Sequence, residues 1–368
     1  MIDHNPKLAA GLKQIDSQAE LLEQSRKYSN PNIEIEMGSG TEPETVGMVS
    51  QSIPFGGKRK KKIHLNDLAV KKAQLEFDIL KQTILMEAFA GFTGILHLQK
   101  RQVFQRDQIL VSEDLLDAVS RKVEAGKLSP AEKSRARIQL YQERLKLRDV
   151  ESALKTAWMS LANLWGDDTT TFFKAEGEFN SISPIPTIES LDKVLQIKLA
   201  KIKIEIQQAI LLQEKTEAIP DMELGVGVKQ GNNSGNTYQF GLTIPFPVFD
   251  RNKSNIASAG SKLEITRLEL IEVEIRIQST ISNLITELEV LAFEIGILTN
   301  DINPEAQSAY VTISEGYLNG RFTYLDVVDA QRMWFESREQ YIGALKDYHI
   351  NILELNRIIG QKNTMEIH

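Results

Sequence analysis

Asp326 and Asp329 are two aspartates three residues apart whose carboxylates could attract a passing cation. Residues at positions i and i+3 lie on one face of a helix, so both carboxylates would point the same way. The ordinary alternative is a pair of solvated acids near the start of a helix, where the helix dipole favours negative charge. The two residues by themselves favour this alternative, and they leave a cation-attracting site open.

Residues for other kinds of chemistry are scarce. The five histidines lack ligand spacing and the eight methionines do not cluster, so no metal site is assigned. The chain has no cysteine, which excludes thiolate ligands and a cysteine nucleophile. A glycine-rich phosphate loop, a GxSxG elbow and a histidine–carboxylate arrangement are also missing. The sequence therefore predicts no catalytic residue, no cofactor and no enzyme.

Charge and hydropathy limit the partners. The net charge of −7 argues against nucleic-acid binding, although residues 58–62 form a basic run. That run follows a predicted strand, which suits either a solvated helix start or a position near lipid headgroups. No stretch approaches about 20 uninterrupted apolar residues, so we expect any membrane crossing to use strands. No leader is visible before the first helix, so we expect either a removed leader or a cytoplasmic protein.

The elements that must position the aspartates occur twice. Ile53-Pro-Phe recurs 191 residues later at Ile244, and the turn at Gly126 recurs 194 residues later at Gly320. The sequence therefore predicts two repeats, over 1–187 and 188–368. Each is a helix, a β-hairpin (32–54 and 221–245), a long helix and a return helix, with a linker loop over 167–186. The other predicted ranges are helices over 6–28, 58–124, 130–164, 188–216, 251–318 and 323–359.

The long helices dominate this organisation. At 1.5 Å per residue, residues 58–124 would span roughly 100 Å. In the second copy, Pro304 predicts a kink or break. Apolar residues at three- and four-residue spacing predict coiled-coil packing of these helices.

The strands alternate between apolar residues and polar or small ones. This pattern is typical of a barrel with apolar residues toward lipid and a wet interior. Four strands cannot close a barrel, so closure requires several protomers. A soluble, half-buried sheet that caps the helices is the alternative. The apolar barrel-strand residues are Ile33, Ile35, Leu224, Val226, Tyr238, Phe240 and Leu242.

Three segments carry a resemblance to a known family. They are Ile53-Pro-Phe-Gly-Gly-Lys-Arg59, Ile244-Pro-Phe-Pro-Val-Phe-Asp-Arg-Asn252 and the stretch 315–330, Glu-Gly-Tyr-Leu-Asn-Gly-Arg-Phe-Thr-Tyr-Leu-Asp-Val-Val-Asp-Ala. Over almost its whole length the chain resembles the TolC-like outer-membrane efflux proteins, particularly the CzcC- and CusC-like metal-efflux branch.

The resemblance implies a homotrimer in the outer membrane that extends into the periplasm. Twelve strands would form one barrel in the outer-membrane lipid, and the helices would form a tunnel below it. A periplasmic membrane-fusion adaptor, attached to an inner-membrane pump, would dock on the helix tips. The implied docking residues are Gly126, Lys127, Ser129, Gly320 and Thr323.

The resemblance also implies a gate. Asp326 and Asp329 would line a closed aperture, where three protomers bring six carboxylates together and like-charge crowding raises some of their pKa values. Tyr317, Arg321 and Glu132 would form the network that holds the aperture shut, through a contact of Arg321 or Tyr317 with Glu132.

Three functions remain in competition. The first is an outer-membrane efflux duct that conducts substrate passively, with heavy-metal cations suggested by the resemblance alone. The second is a periplasmic adaptor, which would normally have one helical hairpin between β-domains. The third is a soluble coiled-coil scaffold, which would stay dispersed without detergent.

Overall fold

The computed structural model describes residues 5–38, 44–164, 166, 174–188, 190–231 and 235–360. Within them the chain forms seven α-helices and four strands. In chain order these are α1 (Pro6–Arg26), β1 (Asn32–Met37), β2 (Glu44–Ile53), α2 (Lys58–Glu124), α3 (Pro130–Asn163), α4 (Leu195–Glu217), β3 (Met222–Gly231), β4 (Gly235–Thr243), α5 (Lys253–Ile297), α6 (Asn303–Leu318) and α7 (Tyr324–Ile359).

The predicted order of elements is found twice along the chain, and most boundaries agree within two residues. The first helix of the second repeat begins later than predicted. A single 3-10 turn at Leu191–Lys193 precedes α4, which starts after Val194 without a side-chain cap. The predicted linker has no helix or strand over 174–186, and residues 167–173 lie outside the described part of the chain.

The predicted irregularity near Pro304 takes the form of a wider helical turn. Residues Leu298–Ile302 form a π-helical segment between α5 and α6. Pro304 then lies in the first turn of α6. The helix runs on through this segment, because the N–H of Asn303 donates to the carbonyl of Leu298 five residues back. The wider turn accommodates a proline, which has no N–H to donate.

The four strands form one antiparallel sheet in the order β1-β2-β3-β4, so the two hairpins join through β2 and β3. One cross-strand row consists of Ile33, Val49, Val226 and Phe240, each paired with the next. All four of these apolar side chains are exposed, with Phe240 85% accessible. An exposed apolar row across a whole sheet is the surface that a lipid-facing barrel strand presents.

The opposite face of the sheet carries small and polar residues on β1, β3 and β4, while β2 contributes Val46 and Met48 to it. Its corresponding row is Glu34, Met48, Gly227 and Gln239. A Cβ on Gly227 would lie 2.8 Å from the carbonyl oxygen of Gly47, so only glycine permits this close approach of β3 to β2. The predicted alternation of the two faces is therefore present in the sheet.

The helices and the sheet divide into two compact units, each of which draws on both repeats. One unit comprises Lys7–Leu80 and Asp192–Arg276. It contains the sheet, and its helices pack around Leu68 and Ile202.

The other unit comprises Met1–Pro6, Lys81–Leu191 and Ile277–His368. In it the linker is tied to α7, because the Nε2 atom of His349 lies 2.9 Å from the carbonyl oxygen of Phe179. The hydroxyl of Tyr348 also donates to the carbonyl of Ser183 at 2.5 Å.

One 18-residue window of α2 has a mean hydropathy of 1.3, so α2 passes the length-and-composition test for a membrane span. The sequence analysis expected only strands to cross a membrane, and it did not identify α2 as a candidate span. Helices that pack against other protein pass the same test, and the window by itself does not place α2 in a bilayer.

Candidate functional site

The two helical turns predicted as tips share one backbone geometry. Gly126 and Gly320 adopt positive φ angles of 68° and 76°, a conformation that favours glycine. After each turn a hydroxyl residue caps the return helix. Ser129 accepts from the N–H of Ala131 at 3.2 Å, and the Thr323 hydroxyl accepts from the N–H three residues on at 3.4 Å. Four of the five predicted docking residues therefore shape the turns themselves.

Equivalent hydrogen bonds close both turns. The N–H of Lys127 donates to the carbonyl of Lys122 at 2.8 Å, and the N–H of Arg321 donates to that of Gly316 at 2.8 Å. In the second turn the ring of Phe322 folds back onto Gly316, where a Cβ would lie 2.4 Å from the ring. The two tips are thus copies of one motif, and the second is packed more tightly by its own aromatic residue.

An apolar cluster holds the two tips together inside one unit. Buried residues from the ends of α2, α3, α6 and α7 contribute to it, including Val119, Ala136 and Val327. Behind the cluster, the amide of Gln331 is fully buried and donates to the hydroxyl of Ser112 at 3.1 Å. The tips therefore form one site of four helix ends, and not two independent turns.

Asp326 and Asp329 both lie on the exposed face of the first turns of α7. The carboxylate of Asp326 accepts from the N–H and the hydroxyl of Thr323 at 2.7 and 2.8 Å, which completes a capping box. The backbone hydrogen bond from Thr323, and then the side-chain one, lower the pKa of Asp326. Asp329 pairs with Arg332 at 2.7 Å. In the single chain the pKa of Asp326 thus moves opposite to the direction expected for a crowded ring.

Tyr317 lies at the centre of the predicted closing network and is 2% exposed. Burial, followed by the nearby charge of Glu132, raises the pKa of Tyr317 to about 12. The hydroxyl of Tyr317 and the Oε2 atom of Glu132 are both buried, and neither has a hydrogen-bond partner among the described residues. Glu132 thus lies near enough to Tyr317 for its charge to act on the phenol, and no hydrogen bond joins the two side chains.

Arg321 does not reach Glu132 within the chain. Across the part of the chain that the structure describes, its guanidinium forms no ion pair or hydrogen bond. The reason is geometric, because Arg321 follows the left-handed Gly320 and its Cβ folds back toward its own turn, near Gly316.

A lysine that the sequence reasoning missed contacts Tyr317 instead. The ammonium of Lys122 lies 3.8 Å from the centre of the Tyr317 ring, and it also donates to the Tyr317 backbone carbonyl. The sequence offered one signal for this role of Lys122. The lysine lies in the last helical turn before the glycine of the first tip, at the position that corresponds to Gly316 in the second repeat.

The predicted barrel-strand residues are all exposed on one face of the sheet. Leu224 and Val226 on β3 are at least 40% exposed, and Ile33, Tyr238 and Phe240 are at least 75% exposed. No cluster of three or more His, Asp or Glu side chains suited to a metal occurs among the described residues. The chemistry of the site is thus electrostatic at the tips and apolar at the sheet.

A sheet with an apolar outer face, joined to long paired helices with repeated tips, defines an outer-membrane duct protein. The profile of the outer membrane efflux protein family matches residues 1–167 and 189–361, and the chain belongs to that family. It is accordingly an efflux protein of the outer membrane that extends into the periplasm. Of the three competing functions, this membership favours the outer-membrane efflux duct over the scaffold and the adaptor.

Sequence relatives include metal-resistance proteins. The chain is 27% identical over 364 residues to the cobalt-zinc-cadmium resistance protein CzcC of Cupriavidus metallidurans, which covers 97% of the chain and 87% of that protein. It is 20% identical over 404 residues to the outer membrane protein TolC of Vibrio cholerae, covering 99% and 90%.

Solved structures share the fold. CusC superimposes with a TM-score of 0.85 at 14% identity, over 97% of this chain and 90% of that one. The outer membrane protein VceC of Vibrio cholerae gives 0.84 at 14% identity, over 98% and 94%. The expected TolC-like fold, with strands and long helices in each protomer, is therefore confirmed.

Proposed function

We propose that three copies of this chain close one barrel and conduct substrate passively from the periplasm to the outside. The observation that carries the proposal is the four-stranded sheet, in which β1 and β4 each have a single neighbour among the described strands and one face carries the exposed apolar row Ile33, Val49, Val226 and Phe240. Unpaired strand edges are not tolerated in lipid, so the sheet must close with other copies. Three copies supply twelve strands, within the range of natural outer-membrane barrels.

The helix tips act as the gate of this duct. Asp326 and Asp329 are exposed on one side of α7, and three copies would bring their carboxylates around a common axis. A ring of carboxylates attracts cations and repels anions. Opening is a shift of the helix ends away from the axis, which requires the contacts around Tyr317 to loosen.

The same tips form the docking surface for a periplasmic adaptor and, through it, an inner-membrane pump in a tripartite efflux system. Gly126, Lys127 and Ser129 in the first turn and Gly320 and Thr323 in the second are exposed or half-buried. Helix caps and closing hydrogen bonds fix the backbone of both turns. Binding of a partner therefore spends little free energy on ordering these turns.

Heavy-metal cations are the proposed substrate class. The support comes from two relatives. CzcC is a cobalt-zinc-cadmium resistance protein, and NccC of Alcaligenes xylosoxydans xylosoxydans, 22% identical to this chain over 266 residues, is a nickel-cobalt-cadmium resistance protein. The acidic residues at the tip suit a cation pathway. A duct of this kind lowers no chemical barrier and needs only a wet path and a gate.

The mass of the detergent-extracted particle tests the central claim. Light scattering should give a protein mass near three times 41.5 kDa. A particle of one or two chains that stays dispersed without detergent would contradict the closed barrel.

A further inference from the structure

The apolar face of the sheet ends in exposed aromatic residues. β2 and β4 both run antiparallel to β3, so their last residues lie at the same end of the sheet. Phe55 follows β2, while Phe246 and Phe249 follow β4, and all three side chains are exposed. Aromatic residues at the end of an apolar sheet mark the boundary between hydrocarbon and headgroups.

A dense basic segment begins directly beyond this boundary. α2 starts with Lys58-Arg-Lys-Lys-Lys62, and no acidic residue lies in its first turn. The start of a helix carries a partial positive charge, so cations there are unfavourable for the helix itself. Helix stability therefore does not explain the segment, and an anion outside the helix would.

Two of the five cations are neutralised or held inside the protein. The ammonium of Lys58 lies 2.9 Å from Asp221 and 3.3 Å from Glu217. The guanidinium of Arg59 stacks on the ring of Tyr28, with its Cζ 4.1 Å from the ring centre, and donates to the carbonyl of Arg26. These two residues anchor the start of α2 to neighbouring segments.

The other three cations are left over. Among the described residues, the ammonium groups of Lys60, Lys61 and Lys62 form no ion pair and no hydrogen bond with a side chain. Two acids at this end of the unit, Glu217 and Asp221, are already engaged by Lys58. Three unmatched charges thus stand beside the aromatic boundary.

We propose that Lys60, Lys61 and Lys62 form a phosphate-binding collar for anionic phospholipid in the periplasm-facing leaflet of the outer membrane. The proposal rests on the closed barrel of the proposed function, which places the three aromatic residues at the edge of the lipid. The leaflet follows from the chain direction, because α2 leaves the sheet at this end and the helices extend into the periplasm. Basic side chains near a bilayer surface attract anionic headgroups, and the attraction grows with each lysine.

Native mass spectrometry of the detergent-extracted protein tests the collar. The full chain is mixed with equal amounts of phosphatidylglycerol and phosphatidylethanolamine, and the lipids retained per oligomer are counted. The wild type should retain phosphatidylglycerol about tenfold over phosphatidylethanolamine. The triple variant K60Q/K61Q/K62Q should retain the two lipids about equally.

A matched control removes the same charge elsewhere in the unit. Lys198, Lys203 and Lys262 are exposed and form no ion pair among the described residues, so K198Q/K203Q/K262Q should keep the wild-type preference. A trimer without lipid preference, or a collar variant that keeps it, overturns the collar and leaves the barrel intact. The collar variant could also dissociate into single chains while it retains as much phosphatidylglycerol as the wild type does. That result would mean that the lysines contact a neighbouring copy and not lipid, and it also overturns the collar. A monomeric wild type overturns the barrel and the collar together.

Discussion

Lys122 holds Tyr317 at two points, with its ammonium 3.8 Å from the centre of the ring and in hydrogen-bond contact with the backbone carbonyl of the same residue. The contact joins the last turn of α2 to the last turn of α6, which are 195 residues apart in the chain. Burial, and then the charge of Lys127, lower the pKa of Lys122. A lysine of the first tip thus provides the cation that contacts Tyr317.

Replacing Lys122 by Met should loosen the closed tip. The substitution keeps a long side chain and removes the cation–π contact, worth about 0.5–2 kcal/mol per chain. Single-channel recordings in planar bilayers should show a higher conductance or open probability. Lys127→Met is the matched control, because Lys127 lies in the same tip and its ammonium forms no ion pair, hydrogen bond or ring contact within the described part of the chain. Equal currents from both variants would remove Lys122 from the gate.

Replacing both Asp326 and Asp329 by Ala should raise conductance or lower cation selectivity, since the negative ring disappears.

The single variants of the two aspartates separate an effect on gating from an effect on folding. Asp329→Asn should change selectivity with little effect on stability, because the exposed pair with Arg332 contributes little. Asp326→Asn should also weaken the cap of α7. Single-channel currents and reversal potentials in a salt gradient measure the effect, and unchanged conductance together with unchanged selectivity in the double variant would exclude the gate.

A charge on the apolar face of the sheet should block insertion. Phe240→Lys places an ammonium on the lipid side of β4 and should cost about 2–4 kcal/mol per chain if the residue lies near the bilayer centre. Gln239→Lys, one residue away on the opposite face, should be tolerated. Folding into phosphatidylcholine vesicles, followed by heat-dependent gel mobility, compares the two. Equal insertion would contradict the assignment of the faces.

Acid should destabilise the unit that contains the linker. Burial, and then the charges of Lys346 and Arg101, lower the pKa of His97 from 6.5 to about 4, and burial lowers the pKa of His349. A histidine with a lowered folded pKa binds a proton on unfolding. Its stabilisation is therefore present above about pH 6.5 and is lost as the pH falls toward about 4.

Thermal unfolding at a series of pH values checks this dependence. The double variant H97Q/H349Q should lose less of its melting temperature between pH 7 and pH 4.5 than the wild type does. His64 is exposed in the same long helix, so H64Q should follow the wild type. A double variant that keeps the full wild-type slope would show that other groups control the acid sensitivity.

Much of the fold could be predicted because local signals agree with one another. α2 was predicted with its observed bounds, and glycines lie near both of its ends. The alternation of Ile33 and Ile35 with two glutamates predicted that the two isoleucines share one face of β1, and they do. The contact of Lys122 with Tyr317 and the buried bond of Gln331 could not be predicted. Hydrophobic periodicity shows which side of a helix is covered, but it does not show which polar side chain crosses to a distant helix.

The pairing of β2 with β3 joins residues 44–53 to residues 222–231 and has a consequence for biogenesis. Loop closure over such a separation is slow, and the first hairpin has nothing to pair with until more than half of the polypeptide has emerged from the ribosome. Until then the hairpin exposes an apolar strand with unpaired backbone N–H and C=O groups, and such edges promote aggregation. We therefore expect the exported chain to need protection of this edge until both hairpins are available to pair.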